Sequence, residues 1–169
     1  MRAFGVILAV SIALVLQTTL ARFVLRGPYA IDLVLIAVVY VALTSGPVTG
    51  MLSGTMAGLM QDALSSGVIG IGGLAKTIVG FLAGVIGTQF IVTHSLPRFV
   101  VFFGATVLHA IVFMGLYMLL ELRPFGTPYA AVAGQALGNA IVGIVAFQLV
   151  EFLPGAVERR RAQRGRLRR

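Results

Sequence analysis

Few side chains in this sequence are equipped for acid–base, nucleophilic or metal chemistry. The acids are Asp32, Asp62, Glu121, Glu151 and Glu158, the histidines are His94 and His109, and the lone lysine is Lys76. Cysteine is absent, which excludes disulfides, thiolate metal centres and thiol nucleophiles. No two acids are spaced as a general acid/base pair, and no Ser–His–acid set, metal cluster or redox motif is legible. The sequence therefore predicts no catalytic residue, no cofactor and no metal. A transporter would place polar side chains or broken helices at mid-membrane, and only His109, Gln135 and Asn139 are candidates for that.

Each of these polar residues also has a structural use. Asp32 opens an apolar segment, where a carboxylate suits a helix N-terminus and headgroups can hydrate it. Asp62 ends another apolar segment, and can cap nearby backbone N–H groups or pair with Lys76; a charge close to hydrocarbon is costly unless paired. His109 lies in the middle of an apolar run, suited to a hydrogen bond with a neighbouring helix. Gln135 and Asn139 are four residues apart, so they share a helix face and can bond across to a neighbour for roughly 0.5–2 kcal/mol each. Glu151, near the end of the last span, can reach the interface or meet the arginine tail.

The elements that carry these residues are dictated by solvent. Of the residues, 59% are apolar and 11% charged, and mean hydropathy is +1.02, whereas a soluble domain has about a quarter of its residues charged. A fold of about 150 residues still exposes roughly 30% of its chain surface, so the surrounding medium must be lipid. A spanning helix needs about 20 apolar residues. Six segments qualify as candidates: Ala3–Ala21, Ile31–Leu43, Pro47–Asp62, Leu74–Val92, Phe99–Leu120 and Pro128–Leu153. The first is too long for the apolar core of a signal peptide and reads as a retained span. The second and third are short; they form a compact helical hairpin or locally thin the bilayer, and together are too long for one helix crossing once, while fusing them would leave five crossings. Pro97 and Pro128 sit near helix starts, where the missing N–H costs nothing, and Pro154-Gly155 closes the last span.

The fold class is thus an all-α integral membrane protein, a six-transmembrane-helix bundle over residues 1–155 with a basic tail over 156–169. Seven of the thirteen basic residues lie in that tail, from Arg159 to Arg169. Arginines directly after an apolar span mark the cytoplasmic side and contact anionic lipid rather than nucleic acid. With six spans, nine basic residues fall on the side of the termini and four on the other, so both termini are expected in the cytoplasm.

Glycines supply the clearest pattern. Gly46, Gly50, Gly54 and Gly58 recur every four residues, Gly80 and Gly84 repeat the spacing, and so do Gly134 and Gly138. Small residues let membrane helices approach closely, which matters because apolar side chains gain little by leaving lipid. These faces are expected to pack within the bundle, with partner binding as the alternative. The stretch Gln61-Asp62-Ala63-Leu64-Ser65-Ser66-Gly67, followed by Gly70, predicts a structured loop outside the cytoplasm. Its glycines are not a nucleotide loop, since no Gly-Lys-Ser/Thr ending is present.

Ile31-Asp32-Leu33 leading into an apolar helix, then Gly46-Pro47, then Gly50 to Gly58, then the Gln61–Gly67 stretch with Gly70, resembles the bacterial rod shape-determining MreD family. The resemblance is strongest over residues 31–84. It implies a non-enzymatic subunit of the cell-wall elongation machinery in the bacterial inner membrane. By the same resemblance the partner is MreC, and through it RodA, its partner transpeptidase and the MreB filament. The fold would be similar to the substrate-binding subunits of energy-coupling-factor transporters, and Asp62, Ser65, Gly67 and Gly70 would be the family-defining loop. The competing reading is a small-molecule binding subunit of a transporter, with a polar cavity built from Asp62, Lys76, His109, Gln135 and Asn139.

Overall fold

The computed structural model describes residues 2–23, 31–65, 68–90, 94–122 and 129–166, and side chains as far as Phe152. Among the described residues the regular structure is entirely α-helical, in the order α1 (Arg2–Phe23), α2 (Leu33–Ser45), α3 (Pro47–Leu64), α4 (Ile71–Gln89), α5 (Ser95–Leu119) and α6 (Tyr129–Arg166). Three helices are long and apolar enough to cross a membrane: α4, α5 and the Tyr129–Phe152 part of α6. The apolar parts of α1 and α2 are shorter.

The second and third apolar segments are separate helices. They are divided at Gly46, which adopts φ 90°, a left-handed value that disfavours a side chain, and Pro47 then starts α3 where no N–H is required. α6 continues as a helix through Pro154 and Gly155 to Arg166, although its apolar part ends at Phe152. Proline removes one helical N–H, and near the membrane edge water can serve the carbonyl left over.

Helix direction follows from who faces whom. Gly50, Gly54 and Gly58 on α3 lie against Gly80, Lys76 and Gly73 on α4, so these two run antiparallel. On α2 and α4, Asp32 meets Lys76 and Leu43 meets Gly87, so those two run parallel. α5 and α6 are antiparallel, since Arg98 meets Glu151 and Thr106 meets Asn139.

The glycine ladder is the α3–α4 seam. A Cβ at Gly50, Gly54 or Gly58 would fall on backbone atoms of α4, and one at Gly80 or Gly84 on backbone atoms of α3. Thr55 and Thr77 add a hydroxyl–hydroxyl bond of 2.7 Å across the same seam. Gly138 is looser, its nearest neighbour being the Ile31 side chain at 3.4 Å, and Gly134 is half-buried on α6.

α2 is the centre of the bundle and touches all the other helices. Its sequence is apolar from Leu33 to Val39, as suits a helix surrounded by others, and Val34, Leu35, Val38, Val39 and Ala42 are almost completely buried. The exterior is the reverse of a soluble protein's. Phe4, Leu52, Met56, Ile111, Leu149 and Phe152 are among many large apolar side chains left exposed, which only a hydrocarbon solvent tolerates at that density.

Candidate functional site

A helix of 13 residues is about 20 Å long at 1.5 Å per residue, against a hydrocarbon core of about 30 Å. α2 is shorter than a spanning helix, and the free N–H groups at its buried start must be satisfied by protein wherever water is excluded. One group of polar residues gathers at the start of α2.

The Asp32 side chain accepts from the Leu35 N–H at 2.9 Å and so caps α2. Its other oxygen is 2.8 Å from the Lys76 ammonium of α4, in an ion pair buried on both sides. Lys76 is also 3.2 Å from Nε2 of His109 on α5. With lysine charged, Nε2 is the acceptor and the ring proton sits on Nδ1. The Asp32 N–H donates to Asn139 of α6 at 2.9 Å. The Asn139 amide donates in turn to Thr106 of α5 at 3.1 Å, and the Thr106 hydroxyl donates to the Phe102 carbonyl at 2.9 Å. From α1, Gln17 donates to the Ile31 carbonyl at 3.1 Å and accepts from the Leu33 N–H at 2.8 Å. Residues 31–33 are thus held by side chains of α1, α4 and α6, with α5 attached through Lys76 and Asn139.

The electrostatics favour a closed unit. Lys76 is 3% exposed, Asp32 6% and Asn139 0%. A buried charge is tolerated when paired and hydrogen-bonded, and here one cation, one anion and a neutral imidazole satisfy each other. Headgroup water does not hydrate Asp32; protein groups take that role.

Asp62 stands apart from this hub. Its carboxylate accepts from the N–H groups of Gly70 at 2.9 Å and Gly73 at 3.1 Å, so it caps α4 and does not meet Lys76. The negative charge there complements the helix dipole. Gly70 holds φ 109° at the turn, and a side chain at Gly72 would collide with the Asp62 carboxylate. The Ser65 N–H closes the end of α3 on the Gln61 and Asp62 carbonyls. Tyr117 of α5 accepts from the Val68 N–H at 3.4 Å and braces the loop. Gly67 lies outside the described residues. Beside this loop, the side-chain oxygen of Gln61 is buried without a partner among the described residues.

A second charged contact sits at the opposite end of the bundle. Arg98 makes a two-pronged bond to Glu151, at 3.0 and 2.8 Å, with its guanidinium 3.8 Å above the Phe147 ring. Tyr40 of α2 meets the same ring edge-on at 4.9 Å.

A family model described as rod shape-determining protein MreD matches residues 1–153. The chain belongs to the MreD family. No curated protein and no solved structure matches it. Membership in the MreD family identifies a rod shape-determining membrane protein, and the match spans both charged contacts and all of the apolar helices.

For this MreD-family chain, the structure brings Asp32 and His109 to Lys76, and Asn139 to the Asp32 N–H. It leaves Gln135 one turn away on α6, half-buried. Two hub residues escaped sequence reasoning, Gln17 and Thr106. Thr106 lies three residues before His109 and so shares its helix face, a signal that was readable. Gln17 is one of few polar residues in the first apolar run, but nothing local points it at residues 31–33. The Arg98–Glu151 pair was also missed, since the arginine tail offered Glu151 nearer partners in sequence.

Proposed function

We propose that this protein is a non-enzymatic scaffold and regulator of the bacterial cell-wall elongation complex. It sits in the inner membrane with six crossings and both termini in the cytoplasm. It binds MreC, and through MreC acts on RodA, its partner transpeptidase and MreB, supporting rod shape and peptidoglycan synthesis. Its arginine tail rests on anionic lipid. The observation that carries this reading is where the polar groups go: Asp32, Lys76, His109 and Asn139 are spent on one another, while large apolar side chains cover the outside. Such a molecule offers helix faces to other membrane helices rather than reactive groups to a substrate.

The test is co-purification at native expression level in mild detergent. A tagged chain is expected to retain MreC. A chain that is folded by gel filtration and melting behaviour yet never brings MreC down overturns the proposal. A second reading, a small-molecule binding subunit, draws support from the polar cluster in which Lys76 meets His109 and Asp32, and Asp32 meets Asn139. A thermal shift of the purified chain with vitamins would favour it over the first.

A further inference from the structure

α1 and α3 pack together along only part of their length. Val10 and Leu14 of α1 share a buried apolar cluster with Val34, Val38 and Ala57, and Gln17 ties α1 to residues 31–33. One turn before Val10 the packing opens. A Cβ at Gly5 would meet nothing within 4 Å, and a cleft of about 380 Å³ lies between Ile7 of α1 and Thr49, Leu52, Ser53 and Met56 of α3, with Ser45 of α2 also lining it.

The hydroxyls of this cleft differ in what they bond. Ser53 is buried and donates to the Gly50 carbonyl at 3.0 Å. Thr18, Thr44, Thr88 and Thr106 likewise donate to carbonyls of their own helices, a common use of a hydroxyl in a membrane helix. Ser45 and Thr49 are half-buried, and their side chains make no hydrogen bond among the described residues. An unpaired hydroxyl facing hydrocarbon is costly, so this pair calls for an acceptor from outside the chain.

Depth indicates which acceptor. α4 has 19 residues, about 28 Å at 1.5 Å per residue, close to the roughly 30 Å of the hydrocarbon core. Its ends therefore lie near the borders of that core. Gly84, in the second half of α4, faces Pro47, so Ser45 and Thr49 on either side of Pro47 lie towards one border, where the ester and phosphate oxygens of lipids begin. Leu52 and Met56, both exposed, follow along α3 towards the bilayer centre. The cleft thus has donors at its edge and hydrocarbon further in, the polarity profile of one lipid molecule. Size agrees. A helix with its side chains is about 10–12 Å across, too bulky to enter. A methylene takes up about as much room as a water molecule, roughly 30 Å³, so 380 Å³ holds a chain of about a dozen carbons.

We propose that the α1–α3 cleft is a binding site for a single phospholipid. Ser45 and Thr49 donate to its ester or phosphate oxygens, and one acyl chain lies along Ile7, Leu52 and Met56. The larger cleft between α4 and α5, about 510 Å³, is lined by apolar residues such as Ile86 and Leu108 and offers a lipid packing alone.

Native mass spectrometry of the full chain in mild detergent, titrated with dioleoyl phosphatidylglycerol, reads the affinity of the first lipid adduct. Ser45→Ala/Thr49→Val removes both donors with little change of shape and is expected to weaken that affinity about five- to tenfold. Thr44→Val, whose hydroxyl serves its own helix, should leave it unchanged. Ile7→Trp fills the cleft from α1 without touching either hydroxyl and should weaken it at least as much as the double variant. Melting in lipid-free detergent reports that each variant is folded. A first adduct as tight in Ser45→Ala/Thr49→Val and in Ile7→Trp as in the parent overturns the proposal. Loss of MreC from these variants with lipid affinity intact also overturns it, and makes the cleft a seat for a partner protein.

Discussion

The same substitution, glycine to alanine, should change stability in opposite directions at Gly54 and Gly104. A methyl at Gly54 would land on the backbone carbonyl of Lys76. That atom cannot rotate aside, so α3 and α4 must separate. Overpacking of this kind costs about 1–3 kcal/mol. Separation also stretches the Thr55–Thr77 bond, now 2.7 Å, and an interhelical bond in membrane is worth about 0.6 kcal/mol. Alanine returns up to about 1 kcal/mol of helix propensity, which leaves a net loss of about 1–3 kcal/mol. At Gly104 a methyl meets nothing within 4 Å, and only the propensity gain remains, about 0.5–1 kcal/mol. Reversible unfolding in mixed micelles measures both on one scale. If Gly54→Ala is as stable as the parent, or if Gly104→Ala loses as much as Gly54→Ala, the claim that the α3–α4 seam is closed at van der Waals distance is wrong.

Three further outcomes follow from the polar contacts. Lys76→Met strands the Asp32 carboxylate and should cost about 3–5 kcal/mol, whereas the double variant Asp32→Asn/Lys76→Met should recover a large part of that in the same unfolding assay. Asn139→Leu leaves the Asp32 N–H without an acceptor and should lose about 1–3 kcal/mol; an unchanged melting curve would show that this bond contributes nothing. Asp62→Ala uncaps α4 and should cost about 0.5–2 kcal/mol, with faster amide exchange confined to Gly70–Lys76 as the local readout.

What could be read in advance depended on the range of each interaction. The apolar runs revealed where helices lie, because lipid imposes one length and one hydropathy on them. The four-residue glycine spacing marked the tight face of α3, since that period belongs to the helix itself. Gly46-Pro47 divided α2 from α3 through local backbone chemistry alone. The hub was not legible in the same way. Asp32 and Asn139 are 107 positions apart, and sequence spacing says nothing of contacts made by topology. Lys76 had two carboxylates to choose from; Asp62 is nearer in sequence, but α2 and α4 run parallel and bring Asp32 alongside it. At the end of α6 the apolar stretch stops at Phe152 while the helix runs on to Arg166, because a proline near the membrane edge loses only one bond.

The clasp at residues 31–33 also bears on biogenesis. Its partners come from helices far apart in the order of synthesis, Gln17 of α1 and Asn139 of α6. A nascent chain interrupted before residue 139 would hold an unsatisfied backbone end and an incompletely surrounded ion pair within the bilayer, a state that quality-control proteases can distinguish from the finished product. Truncation of α6 before Asn139 is therefore expected to yield rapid turnover in a pulse-chase measurement, not a partly working protein.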